Sequence, residues 1–407
     1  IGAKVRPRQG QAARGHCAGS YNDRMALPLD VCVRGGGIVG RTLALLLAQE
    51  RLRVGLVETT SAVPEERADV RAYAINAGAR ELLQQVRAWP EDLATPVLSM
   101  DVHGDAGGRV RFGDAPHRDP SAETASTQRT AATAGQPLAW IANAADLLQS
   151  LDQALHYQPQ VERLTEPRQA ALTVVCEGKA SGTRAELGVD WQVQPYYQHA
   201  VAARLNAERP HGQVARQWFR PGEILALLPM GGAQGTDLAL VWSVPAERAA
   251  ELAALPAEEF ERRLHEASGG ELGPLALTSE RMRWPLQRAW ASRWCGPGWA
   301  LAGDAAHTVH PLAGQGLNLG LADVAELVRV LQAREYWRGL GDERLLRRYE
   351  RARKGEVAAM QWATGGLQWL FAPPGPAWRA IRNWGMRGFE RSGPVKHWVA
   401  RQAAGGL

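Results

Sequence analysis

The sequence predicts an α/β fold: a parallel-sheet domain interleaved with a mixed β-sheet domain, followed by C-terminal helices. Three observations predict it. Asp30-Val31-Cys32-Val33 reads as a buried strand that runs straight into Gly35-Gly36-Gly37-Ile38-Val39-Gly40, a helical run from Arg41 to Gln49 and a second strand, Val54-Gly55-Leu56-Val57. Far downstream, the apolar run Trp299-Ala300-Leu301-Ala302 ends in Gly303-Asp304, and Gly314 and Gly316 open another helical run from Leu317 to Leu331. Between these two units, strand-like runs dominate residues 190–245.

The first unit has the order strand, G-x-G-x-x-G, helix, strand, acid, with Glu58 standing eighteen residues past Gly40. Gly35 permits a tight turn, Gly37 lets the backbone approach a ligand, and Gly40 lets helix and strand pack closely. The helix start offers free N–H groups to a diphosphate, and Glu58 can accept from ribose hydroxyls. This is a Rossmann-like dinucleotide fingerprint in its expected context. A helix follows at Ala77–Arg87, then strands at Val97–His103 and Arg109–Phe112, and a structureless stretch at 116–137. Leu147–Leu155 reads as a helix, and only a short link separates Val161 from Leu172. Trp191, Trp218, Phe219 and Trp242 can floor the large sheet of 190–245, and the chain returns to the first domain near Met282.

The second unit places a carboxylate where a buried strand ends, so that Asp304 can accept hydrogen bonds from a polyol chain. Gly314 and Gly316 allow close backbone approach, and the helix start favours negative charge. A nicotinamide dinucleotide needs only the first unit; a flavin dinucleotide needs both. The pattern resembles the class A flavoprotein monooxygenases, the family built like para-hydroxybenzoate hydroxylase. The resemblance implies that Gly35, Gly37, Gly40 and Glu58 hold the ADP part of FAD. It also implies that Gly303, Asp304, Pro311, Gly314, Gly316, Leu317 and Asn318 hold the ribityl chain and flavin edge. Asp69-Val70-Arg71-Ala72-Tyr73-Ala74-Ile75-Asn76 is similar to the family's D-x-R-x-x-A-L-N segment, whose arginine, here Arg71, approaches FAD. Gly178, Ser181 and Arg184 fit a third family motif that touches both FAD and the nicotinamide cofactor. Glu177 replaces its aspartate, keeping the charge but adding a methylene that can displace a tight turn.

Ala215-Arg216-Gln217-Trp218-Phe219 through Leu228-Pro229-Met230 resembles the ubiquinone-biosynthesis ring hydroxylases, as do Tyr197-Gln198-His199-Ala200-Val201, Tyr349-Glu350-Arg351-Ala352-Arg353-Lys354 and Leu370-Phe371. The resemblance assigns 26–96, 138–189 and 281–350 to FAD binding, 97–137 and 190–280 to a substrate-binding sheet, and 351–407 to C-terminal helices. It implies an FAD monooxygenase that hydroxylates a polyprenyl phenol using NADH or NADPH and O₂. No single catalytic acid or base is named, because the cofactor supplies the chemistry. His310 and Pro311 are expected near the ring, with a structural role equally open for His310. Two other readings stand beside this one: a flavoprotein scaffold in a quinone-synthesis assembly, motivated by Glu177 and the short link, and an FAD-dependent isoprenoid reductase.

Composition sets the outer bounds. A chain of 407 residues with a net charge of +5 exceeds one ordinary domain, and no basic block with interleaved aromatics points to nucleic acid. Cys17, Cys32, Cys176 and Cys295 lack metal or disulfide spacing, so reduced cytoplasmic thiols and no metal are expected. No run of eighteen apolar residues marks a transmembrane helix. Residues 1–24 read as a disordered extension upstream of Met25. At the other end, Trp362, Trp369, Trp378, Trp384 and Trp398 are interleaved with Arg379, Arg382, Arg387, Arg391, Lys396 and Arg401. That pattern suits peripheral membrane contact or a partner groove as well as it suits packing on the protein's own core.

Overall fold

A computed structural model describes residues 28–58, 69–105, 107–113, 136–232, 234–309 and 315–371, with side chains in the last helix as far as Met360. The expected extension at 1–24, nearly all of the 116–137 stretch, His310, Pro311 and Gly314 lie outside the described residues, as do the side chains of the tryptophans from 362 onward. The helices among the described residues are α1 (Ile38–Gln49), α2 (Ala77–Gln85), α3 (Ala144–His156), α4 (Gly182–Glu186), α5 (Ala246–Ala254), α6 (Ala257–Ser268), α7 (Gln315–Gln332) and α8 (Glu343–Phe371).

The first sheet has six strands in the order Cys295–Gly296, Trp299–Leu301, Ala170–Val175, Leu29–Arg34, Val54–Val57 and Val161–Leu164. All neighbours are parallel except the short pair at the Cys295 edge. Val31 stands opposite both Val54 and Leu172, and Val33 opposite Leu56 and Val174. These side chains have no exposed surface and share a core with Leu43, Leu47 and Leu321 from α1 and α7. Burial on both faces explains why these strands read as continuous apolar runs. Helix α1 starts three residues before Arg41, because Gly37 takes an extended backbone at its N-cap and Ile38 enters the core. The link from Leu164 to Ala170 is as short as the sequence suggests.

The second sheet runs in the order His307–Thr308, Met282–Ala291, Trp191–Ala207, Asp237–Pro245, Glu223–Pro229, Val214–Arg220, Ser99–His103, Arg109–Gly113, with Leu275–Leu277 beside Trp191–Ala207. Met282–Ala291 pairs with Trp191–Ala207, so the chain leaves this sheet some ten residues after the expected boundary at 281. Period-two alternation divides its faces. One face carries Val201, Leu205, Trp218, Leu227, Leu240 and Trp242, which pack with Phe260 and Leu264 of α6. Trp218 and Trp242 therefore floor the sheet on the helix-covered side. The opposite face carries Ala202, Gln217, Ala226, Ala239, Val241 and Ser243, and looks onto the first sheet across a gap. A three-stranded sheet, Ala72–Ile75, Ala139–Asn143 and Thr95–Val97, closes one side.

A candidate cofactor slot reaching the second sheet

The front glycine turn is shaped by what its residues lack. Gly35 has φ +120°, and a Cβ there would lie 2.4 Å from the Cys176 carbonyl oxygen. At Gly40 a Cβ would lie 1.9 Å from the carbonyl oxygen of Gly35. These two glycines let helix and strand touch. Gly37 is different: no atom lies within 4 Å of where its Cβ would be, and the residue lines an open slot. Glu58 flanks the turn, close enough that a Cβ on Gly36 would meet its Cγ at 2.8 Å, and it pairs with Arg41 at 3.0 Å.

The rear turn is held by charge. The Gly303 N–H donates to Asp323 Oδ2 at 2.9 Å, and His307 Nε2 lies 2.6 Å from the same oxygen. Arg353 Nε donates to Asp323 Oδ1 at 2.8 Å, and the Tyr349 hydroxyl donates to the Leu301 carbonyl at 2.8 Å. Trp294 stacks on the His307 ring at a centroid distance of 4.8 Å. Burial alone would raise the Asp323 carboxyl; His307 and Arg353 outweigh it and hold the group below the usual carboxylate range. Asp304 is the opposite case. Burial raises its carboxyl, eased by Lys179 and His307, and no hydrogen bond from another described residue reaches it.

The two turns open onto one cavity of about 650 Å³. Gly37, Ile38 and Val39 line one end, Gly303, Asp304, Gly316 and Leu317 the middle, and Gln217, Ile224, Ala226, Val241 and Ser243 the roof. Gly178 and Lys179 line it as well, and the Glu177 turn that places them is closed in spite of the longer side chain. Glu177 accepts from the Ser181 hydroxyl at 2.7 Å and the Thr183 hydroxyl at 2.5 Å, and pairs with Arg34 at 3.1 Å. Arg184 donates to the Ala305 carbonyl at 3.1 Å and lies 3.7 Å over the Trp191 ring, tying this turn to the rear one. Arg71 lines the slot too, with its guanidinium on Asp69 at 2.6–3.0 Å.

Asn318 is not among the residues lining the slot. Its amide oxygen accepts from the Asn76 N–H at 3.1 Å and its amide nitrogen donates to the Ala74 carbonyl at 2.8 Å, so it staples α7 to the three-stranded sheet. Asp323, His307 and Arg353 were not singled out as functional from the sequence. The available signal was an acid inside the apolar run of α7, matched by an arginine in the Tyr349–Lys354 motif.

These residues fit a flavin dinucleotide. The front turn offers open space beside Gly37 and the start of α1, a site suited to diphosphate. Asp304 offers a carboxylate without a described partner, and the Thr308 hydroxyl in the same lining is buried and unpaired. A buried hydroxyl ordinarily has a partner, and Asp304, partly exposed to the slot, is free to take one, so these two mark where a ligand's hydroxyl and polar ring atoms belong.

Comparison with known proteins agrees. The chain matches the family described as FAD binding domain over residues 28–363. Ubiquinone hydroxylase UbiL of Rhodospirillum rubrum is 31% identical over 97% of this chain and 93% of its own length. The 3-demethoxyubiquinol 3-hydroxylase of Escherichia coli is also 31% identical, over 93% of this chain and 99% of its own length. The crystal structure of p-nitrophenol 4-monooxygenase PnpA from Pseudomonas putida shares the fold, with a TM-score of 0.70 at 17% identity over 92% of this chain and 97% of that one. The chain belongs to the FAD-binding-domain family of flavoproteins, and FAD is its cofactor.

Proposed function

We propose that this protein is an FAD-dependent monooxygenase that hydroxylates the aromatic ring of a polyprenyl phenol in ubiquinone biosynthesis, with NAD(P)H as reductant and O₂ as oxygen source. The observation that carries this reading is the single slot joining Gly37 and Asp304 to the small-residue face of the second sheet. When bound, FAD supplies electron transfer from the nicotinamide and delivery of one oxygen atom to an electron-rich ring.

The chain's own residues bind, orient and exclude water. The N–H groups at the start of α1 hold the diphosphate, with Glu58 assigned to the ribose and Asp304 to the polyol chain. The N-terminal end of α7, at Gly316 and Leu317, stabilises negative charge on the flavin edge. Ile224, Ala226, Leu228 and Val241 keep the reacting ring out of water. In this division of labour the parallel sheet serves the cofactor and the mixed sheet roofs the substrate. Among the described residues no helix is long and apolar enough to cross a membrane. The Trp- and Arg-rich residues after 361 are assigned the contact with a membrane surface, or with a quinone-synthesis partner, that a polyprenyl tail makes useful.

Product analysis in a bacterial strain lacking its own quinone-ring hydroxylases tests the proposal. Expression of this chain should restore a hydroxylated prenyl-ring product. An FAD-loaded protein that restores none would contradict it.

A further inference from the structure

The roof of the slot is apolar, Trp284 included, apart from a few polar side chains, and two of these turn to the cavity without a partner in the protein. Gln217 is 6% exposed and Ser243 is 4% exposed, and both line the cavity. Neither side chain hydrogen-bonds another described residue. Their cross-strand neighbours on the same face, Ala226 opposite Gln217 and Ile224 opposite Ser243, have nothing to offer them. Their polar atoms face the cavity, where a ligand's hydrogen-bonding groups, or water in its place, can complete them. Gln287, another amide in the lining, is only partly buried, so water can serve it.

We infer that Gln217 and Ser243 are substrate-positioning residues that hydrogen-bond the oxygen substituents of a neutral aromatic ring. This rests on the functional reading above and deepens it. Both groups can donate and accept, which suits phenol hydroxyls and ether oxygens alike. They sit two strands and two residues apart on one rigid face, roughly 12 Å between Cα atoms, a gap that a ring oxygenated on two edges can bridge. The cations that line the slot, Arg71 and Lys179, lie near Asp304 at the cofactor end. No cation lines the roof among the described residues, so a ring bearing a carboxylate would find no counter-charge there. The small side chains at Ala202, Ala226 and Ala239 leave the room that such a ring needs.

The test uses FAD-loaded protein and two probes, 2-geranylphenol and geranylbenzene, which differ only in the ring oxygen. Binding is read from the perturbation of the flavin absorbance, and folding from FAD content. Wild type should prefer the phenol by roughly tenfold. Gln217→Met, close in volume but apolar, should lose most of that preference, and Ser243→Ala a smaller part. In turnover, Gln217→Met should keep consuming NAD(P)H while forming less hydroxylated product per NAD(P)H, a loss of coupling that a purely structural residue would not cause. A Gln217→Met protein that keeps both the preference and the coupling overturns the inference, as does a wild type that binds both probes equally. Product formation by wild type is scored separately, so its absence would strike the functional reading alone.

Discussion

At the front of the slot, Gly35 and Gly40 are fixed by the closeness of bare backbone, with Cβ positions 2.4 Å and 1.9 Å from carbonyl oxygens. At the rear, Gly303 is fixed by a buried ionic cluster in which Asp323 gathers a backbone N–H, His307 and Arg353. One half of the cradle depends on atoms that are absent, the other on charges brought in by α7 and α8. The two halves should therefore fail in different ways.

The largest effect is expected at the rear. Asp323→Ala leaves the Arg353 guanidinium, 3% exposed, without its buried partner. Loss of about 3–5 kcal/mol in a denaturant melt is expected, together with loss of FAD. A change under 1 kcal/mol would mean that the cluster does not hold the turn. The same carboxyl gives the rear half an acid sensitivity. Its folded pKa is depressed, so its stabilisation is present above the unfolded value, near pH 4, and is lost as pH falls through the folded one.

At the front, two alanine substitutions should separate packing from ligand space. Gly40→Ala drives a Cβ into the backbone and should cost about 1–3 kcal/mol. Gly37→Ala meets nothing, so the apo fold should change by less than about 1 kcal/mol while FAD affinity falls. Equal destabilisation by the two would break the distinction between the glycine that packs and the glycine that makes room.

The smallest effect on stability should come from Asp304→Asn, and with opposite sign. Burial raises the Asp304 carboxyl, so its favourable contribution belongs to the protonated form and is lost as pH rises through the folded pKa. At neutral pH the apo protein should therefore gain from asparagine, by about 1–2 °C in Tm. FAD affinity should fall by roughly tenfold, since the charged acceptor for the polyol is gone. A lower apo Tm would show that Asp304 serves the fold and does not wait for a ligand.

The front half was legible because strand, glycines, helix and acid are contiguous in the chain, and each residue type has one local reason to be there. Gly303 and Asp304 were legible for the same reason. The cluster that fixes them was not, because Gly303, His307, Asp323 and Arg353 come together only when α7 and α8 pack beside the strand. Asn318 illustrates the limit from the other side. It neighbours the rear glycines in sequence, yet its amide is spent on Ala74 and Asn76. Trp218 and Trp242 were rightly placed in the sheet, but only the register shows which way they face. Gln217 and Ser243 stand beside them on alternating positions, and their lack of partners is visible only in three dimensions.

The most direct measurement supplies ¹⁸O₂ to the FAD-loaded protein with NAD(P)H and a prenyl phenol, and weighs the product. One ¹⁸O atom per hydroxylated ring is the expected result of the proposed monooxygenation, in which cofactor and ring share the slot. A product that carries oxygen from water, or that is reduced without gaining oxygen, would contradict the account.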